Sequence, residues 1–304
     1  MVSHKVIKCF RVTRHLSIPE LGLPVWTFLV LAIGVAIAAF LPISHATAKV
    51  GWTSPHFQDH PLAGTIWTSD FEPVTISELE KALANARFVL LEEIHNNPDH
   101  HRLQARLIDA LVSKGRRPAI VFEMIPTNLQ VELDRHVQGG VREASTLGKA
   151  LRWEERGWPD WAIYQPIAEA ALSAGLPLKA GGLGADVQKT FAKGELPPTI
   201  NELDLAPEVA EAEAREIKEG HCNLLPADAV EPMITMQRVL DASLAKATVS
   251  ANAADGAVLI AGAGHVRNDW ALFRISSVRN CPMPPSFRLP SSRSTRSAPR
   301  RQST

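Results

Sequence analysis

The sequence predicts an α/β domain with a mostly parallel central sheet, helices on both faces, and an additional helical segment. Two observations carry that prediction. Four short apolar runs, at 87–93, 118–124, 176–182 and 257–265, have the length and composition of buried strands. The stretches between them show helical spacing of apolar residues and end at helix-stopping glycines such as Gly115 and Gly175. Strands that alternate with helices pair in parallel and are covered on both faces.

The elements follow in order. Residues 49–75, rich in Trp, Pro, His and Asp, read as an irregular leading segment. Ser77 and Glu80 have the spacing of a capping box and open the first helix. The first strand is RFVLLEE, 87–93. Asn97-Pro98-Asp99 starts a helix to about Ser113, with Leu103, Leu107, Ile108 and Leu111 on one face. PAIVFEM, 118–124, is the second strand; helices follow near 127–137 and 143–151, and another runs from Pro159 to Ala174. LPLKAGG, 176–182, is the third strand. Helices over roughly 206–219 and 227–247 lead to the last strand, AVLIAGAGH, 257–265.

The ends of the chain differ from its body. Residues 25–41 are an unbroken apolar run behind Lys5, Lys8, Arg11 and Arg14, and Ala46-Thr47-Ala48 has the small residues of a processing site. Residues 1–48 therefore read as a signal peptide, with an uncleaved membrane anchor as the rival; either reading exports the body to the periplasm or beyond. Residues 271–304 carry seven arginines and no acid, and read as a disordered or frameshifted basic tail. With +3 on residues 1–48 and +7 on the tail, a net charge of zero leaves −10 on 49–270. An acidic body argues against a nucleic-acid partner, since phosphate binding needs a basic face. Cys9, Cys222 and Cys281 form no CxxC pair, so neither a zinc-cysteine site nor a disulfide framework is expected.

In a parallel sheet, ligands bind beyond the carboxyl ends of the strands. Glu93 and His95 stand there on the first strand, Glu123 on the second and His265 on the fourth. Two residues apart on a strand, Glu93 and His95 point to the same side and can pair. The four groups could serve as general acid and base or as ligands of a divalent metal. His100 and His101 lie in the first turn of the following helix, where capping or solvent exposure is the plainer reading. Tyr164 is the chain's only tyrosine and sits among Trp153, Trp158 and Trp161; such a stripe is more often core, but a tyrosinate in aromatic surroundings also suits haem iron. His221 and Cys222 fall in a loop between two helices. The glycines of AGAGHVRND, 261–269, are a weak phosphate-loop signal without a third glycine that opens a helix.

Taken together, LLEEIHNNPDHHRLQ, VFEM, WPDWAIYQPI, GHCNLLP with Met233, Gln237 and Asp241 downstream, and VLIAGAGHVRND resemble the ChaN-like haem-binding family of the erythromycin-esterase and TIKI-like superfamily. The resemblance runs from about Thr65 to Asp269 and makes 49–270 the haem-binding domain. It implies an exported α/β protein that takes up haem or iron, binds haem through a tyrosine, and dimerises with two haems face to face. On that basis Tyr164 is the expected iron ligand, Trp161 lines the haem, and the assisting histidine, which in the family comes from the other copy of the dimer, is His221. A periplasmic or outer-membrane haem-transport partner is also implied. The reading favours a binding protein over an enzyme; a periplasmic hydrolase built on Glu93, His95, Glu123 and His265 is the alternative. Departures from the family pattern are Glu92 where it has Gly, Asn96 where it has Asp, the stretch KAGGLGADV, the lack of a lipoprotein signal, and the tail.

Overall fold

A computed structural model of the chain describes residues 51–138, 143–192, 207–251 and 253–266. The apolar run 25–41 and the basic tail lie outside the described residues. Among the described residues no helix is long and apolar enough to cross a membrane.

The leading segment contains a small antiparallel ladder, β1 (Ile66–Trp67) with β2 (Pro73–Val74). Helix α1 (Ile76–Asn85) follows. Its cap is Thr75, not Ser77: the Thr75 hydroxyl accepts from the Glu78 amide while Glu78 reaches back to the Thr75 amide. Thr75 and Glu78 have the same spacing as Ser77 and Glu80, and Leu79 and Leu83 must face the core, which sets the register.

Strand β3 (Phe88–Glu93) leads to α2 (Pro98–Ser113), capped by Asn97 with Pro98 in the first turn. Strand β4 (Ala119–Pro126) is followed by α3 (Gln130–Gln138), α4 (Ala144–Ala150) and α5 (Trp161–Ser173). Strand β5 (Leu178–Gly182) precedes α6 (Ala185–Ala192), a helix absent from the sequence reading. Then come α7 (Pro207–Gly220), α8 (Val230–Val249) and β6 (Ala257–Gly262). The last strand stops at Gly262, and residues 263–265 form a tight turn instead of continuing it.

β3 to β6 form one parallel sheet in the order β3-β6-β4-β5. The central strand β6 is buried at every residue, as its unbroken apolar sequence requires. β3 is an edge strand: Val89, Leu91 and Glu93 are buried while the alternate residues are half-exposed. Two apolar layers flank the sheet. One packs Leu107, Ile108 and Leu111 of α2 and Ile167 and Ala171 of α5 against Leu91, Phe122 and Ile260. The other packs Leu244 and Ala245 of α8 against Val121 and Leu259. Ile217 of α7 meets Val230 and Ile234 in a separate small cluster, which is the additional helical segment.

Candidate functional site

Every strand of the parallel sheet runs toward the same edge, and most of the buried titratable side chains of the described residues gather there. β3 brings Glu93, β4 brings Glu123, and the turn after β6 brings His265. α2 adds His101, α5 adds Tyr164 and α8 adds Asp241 from across the layers.

Glu93 is the first centre. Its Oε1 accepts from the Tyr164 hydroxyl at 2.6 Å and pairs with His95 Nδ1 at 2.9 Å. Its Oε2 lies 3.3 Å from His101 Nε2, an ion-pair contact short of hydrogen-bond geometry. Burial alone would raise the Glu93 pKa, but His101, His95 and Tyr164 outweigh it and hold the carboxyl at about 2. Glu93 is thus a carboxylate at any physiological pH. Burial pushes the Tyr164 phenol far above its ordinary value, and the Glu93 charge pushes the same way. Tyr164 is a proton donor with no exposed surface, sandwiched between the His101 ring at 3.9 Å and the Trp153 ring at 4.8 Å.

Glu123 is the second centre. Its Oε2 accepts from the Gly262 amide at 2.7 Å, which ties β4 to the end of β6. Its Oε1 lies 3.6 Å from His265 Nε2 and 4.0 Å from His95 Nε2. His265 Nδ1 is bonded to Asp241 Oδ1 at 2.7 Å. Burial disfavours the imidazolium, but Glu123 and Asp241 outweigh it and raise the His265 pKa to about 9. Burial also raises Asp241. The two histidines share one arrangement, each with Nδ1 fixed by a carboxylate and Nε2 turned toward Glu123. His95 differs in being accessible. Its side chain is 34% exposed and its ring packs edge-on against Trp158 at 5.0 Å. Burial lowers its pKa, yet Glu93 and Glu123 produce a net rise.

The sequence-predicted set Glu93, His95, Glu123 and His265 is therefore brought together, and Tyr164 joins it. Trp161 is instead a core tie between α4 and α5. Its indole donates to the Ala144 carbonyl at 2.8 Å and its ring fills the space over Gly148. His221 sits on the α7–α8 connection, where its ring donates to the Ile217 carbonyl at 2.7 Å at the end of α7.

His100 accepts from the Ile94 amide at 3.0 Å, and burial lowers its pKa. His101 and Asp241 are the members that sequence reasoning undervalued. His101 is fully buried rather than a solvent-facing cap. Its spacing to Gln104 and Ile108, both buried, places it on the covered face of α2 and was the available signal. Asp241 lies on the α8 stripe with Leu244 and Ala245, where a carboxylate needs a partner. Among the described residues no three His, Cys, Asp or Glu side chains gather as a metal ion would need.

The family model described as "Haem-binding uptake, Tiki superfamily, ChaN" matches residues 79–274. Among solved structures, the ChaN protein of Campylobacter jejuni described under "Cofacial heme binding" aligns with a TM-score of 0.59 at 20% identity. That alignment covers 68% of this chain and 83% of that one, and it shows a shared fold. The type III effector HopBA1 aligns at 13% identity over 62% of this chain and 71% of that one. Its TM-score of 0.38 is too low to bear on fold or function. No curated protein matches the chain.

Proposed function

This chain belongs to the ChaN family of haem-binding uptake proteins in the Tiki superfamily, and from that premise we propose that it binds haem at the carboxyl edge of its sheet. The observation that carries the reading is His95. It is the one member of the buried charge cluster with substantial exposed surface, and Trp158 supplies an aromatic wall beside it. Haem needs a donor atom at an opening and flat apolar contacts, and these two residues fit that need. Bound haem would supply a ferric iron with an open coordination position. Glu93 fixes the His95 ring through Nδ1, and Nε2, now 4.0 Å from Glu123, is the atom that would turn to the iron.

Ligation by Tyr164, which the family resemblance implies, asks more of this chain. The hydroxyl would have to leave Glu93, lose a proton that burial holds tightly, and come to the surface. His95 is the more exposed donor, and Tyr164 orients Glu93 behind it. Trp161 and His221 take no part in this version. Export through residues 1–48, pairing of two copies and delivery to a haem-transport partner complete the proposal.

Haem titration of the full chain tests it. An absorbance change that saturates at one haem per chain, is lost in His95→Ala and persists in Tyr164→Phe is the expected result. A tyrosinate-to-iron charge-transfer band lost in Tyr164→Phe would return the ligand role to Tyr164. The absence of any saturable binding would end the haem reading. Gel filtration with and without haem tests the pairing.

One specific observation favours a second reading. Asp241, His265 and Glu123 form a chain of the kind that moves protons in hydrolysis. A panel of ester and peptide substrates, run on wild type and His265→Ala, tests it. Turnover lost in the variant supports hydrolysis; no turnover in either protein sinks it.

A further inference from the structure

The haem reading accounts for a ring and an iron but leaves the two carboxylates of haem without partners. The loop between α4 and α5 holds cations in the complementary condition. Arg156 donates from Nε to the Leu151 carbonyl at 3.1 Å and from Nη1 to the carbonyl of Met124, the residue after Glu123. Its Nη2 is buried and has no hydrogen-bond partner among the described residues. The guanidinium lies over the Trp153 ring at 5.3 Å. No carboxylate pairs with it among the described residues. Burial, with the charge of Arg152 adding to it, lowers its pKa to about 10, so it stays cationic at neutral pH.

Arg152 is exposed and sits in left-handed backbone at φ +50°. That conformation closes the C-terminus of α4, where the Trp153 amide donates back to the Gly148 carbonyl. Two guanidiniums thus share one short loop, and among the described residues neither Glu154 nor Glu155 between them forms an ion pair with Arg156. The loop is tied to the site at both ends. Arg156 holds it to the end of β4, and Trp158, packed near Trp153, meets His95. A charged fork with a spare N–H, next to an aromatic wall, is suited to a carboxylate on a flat ligand.

We propose that Arg156 and Arg152 form a carboxylate site that receives an acidic side chain of the ligand held at His95 and Trp158. The site rests on the haem reading and specifies how that ligand is oriented. Arg152, at the exposed turn, meets the carboxylate first, and Arg156 Nη2 gains the partner it lacks.

The test compares haem with its dimethyl ester in absorbance titrations of the full chain. A charge-assisted hydrogen bond contributes about 1.5–3 kcal/mol, so wild type should favour the free acid by about ten- to hundredfold. Arg152→Gln, on the exposed side, should reduce that preference several-fold while leaving the ester affinity unchanged. Arg156→Lys, which keeps charge but loses the fork, should do the same if its melting profile remains cooperative. Equal binding of acid and ester by wild type, or a preference untouched in Arg152→Gln, overturns the carboxylate site and leaves haem binding standing. Failure of both porphyrins to bind defeats the haem reading and this site with it.

Discussion

Tyr164 and Glu93 form the shortest link in the buried cluster, an O–H donated from helix α5 to the last residue of strand β3 across 2.6 Å. The bond joins residues 71 positions apart and locks the only tyrosine to a carboxylate that also orients His95. Tyr164→Phe keeps the ring contacts with Trp153 and His101 and removes only the hydroxyl. Losing a hydrogen bond to a buried charge costs about 1.5–3 kcal/mol. Urea denaturation should show that loss, and the apparent pKa of Glu93 should rise. An unchanged unfolding midpoint would mean that the bond is not maintained in solution.

The two centres titrate at opposite ends of the pH scale. Glu93 has a folded pKa of about 2, depressed from 4.5. Its stabilisation, on the order of 3 kcal/mol, is present above 4.5 and is lost as pH falls toward 2. His265 has a folded pKa of about 9, raised from 6.5. Its stabilisation is complete below 6.5 and is lost as pH rises through 9. Glu213, which burial pushes up to about 7 despite Arg238, adds a decline from 4.5 to 7. Stability should therefore peak on the acid side of neutrality and fall in both directions. Thermal melts from pH 3 to 10 check this. Glu213→Gln should flatten the decline below pH 7 and leave the limb near pH 9 in place. A profile that is still rising at pH 9 would contradict the assignment.

How much of this was legible in the sequence depends on the range of each interaction. β6 was readable because a strand buried on both faces is apolar throughout. The convergence of Glu93, Glu123 and His265 followed from a rule about strand ends and needed no contact information. Tyr164's partner was not readable, because the bond depends on how α5 crosses the sheet. The same holds for Asp241, which reaches His265 only through the packing of α8. Thr75 displaced Ser77 as the cap because both spacings are present locally and the buried leucines choose between them. Helix α6 was missed because it is only 8 residues long and Leu183 and Gly184 alone separate it from β5, too short for a helical stripe to stand out.

Two glycines near the cluster should respond differently to alanine. At Gly182 an added Cβ would lie 2.2 Å from the Glu123 carbonyl oxygen, a backbone atom of β4 where its register with β5 shifts. At Gly262 it would meet the His95 ring at 2.9 Å, a side chain at the mouth of the site that can shift. Gly262→Ala should fold, with a loss of about 1–3 kcal/mol, and should displace His95 so that ligand binding weakens. Gly182→Ala should be destabilised further, because β4 or β5 must move. Circular dichroism melts and binding titrations on both variants make the comparison. Equal losses of stability would show that backbone and side chain yield alike there.

Asp99 ties the leading segment to the site's own helix. Its carboxylate accepts from the Thr53 amide at 3.0 Å and the Ser54 amide at 2.7 Å. Arg102 braces it, bonding Asp99 at 3.1 Å, the Thr53 hydroxyl at 2.6 Å and the Gly51 carbonyl at 3.2 Å. The helix that Asp99 opens also carries His101 against Glu93, so the clamp and the charge cluster share one turn of α2. Asp99→Ala removes the acceptor for two backbone amides and leaves Arg102 without its carboxylate. Amide exchange at Thr53 and Ser54 should accelerate by orders of magnitude, while β4 and β6 stay protected, because those strands are held by the core and not by the clamp. Arg102→Ala should produce a smaller increase, since the carboxylate bonds to both amides survive. If exchange at Thr53 is equally slow in Asp99→Ala, something other than this carboxylate holds the segment down.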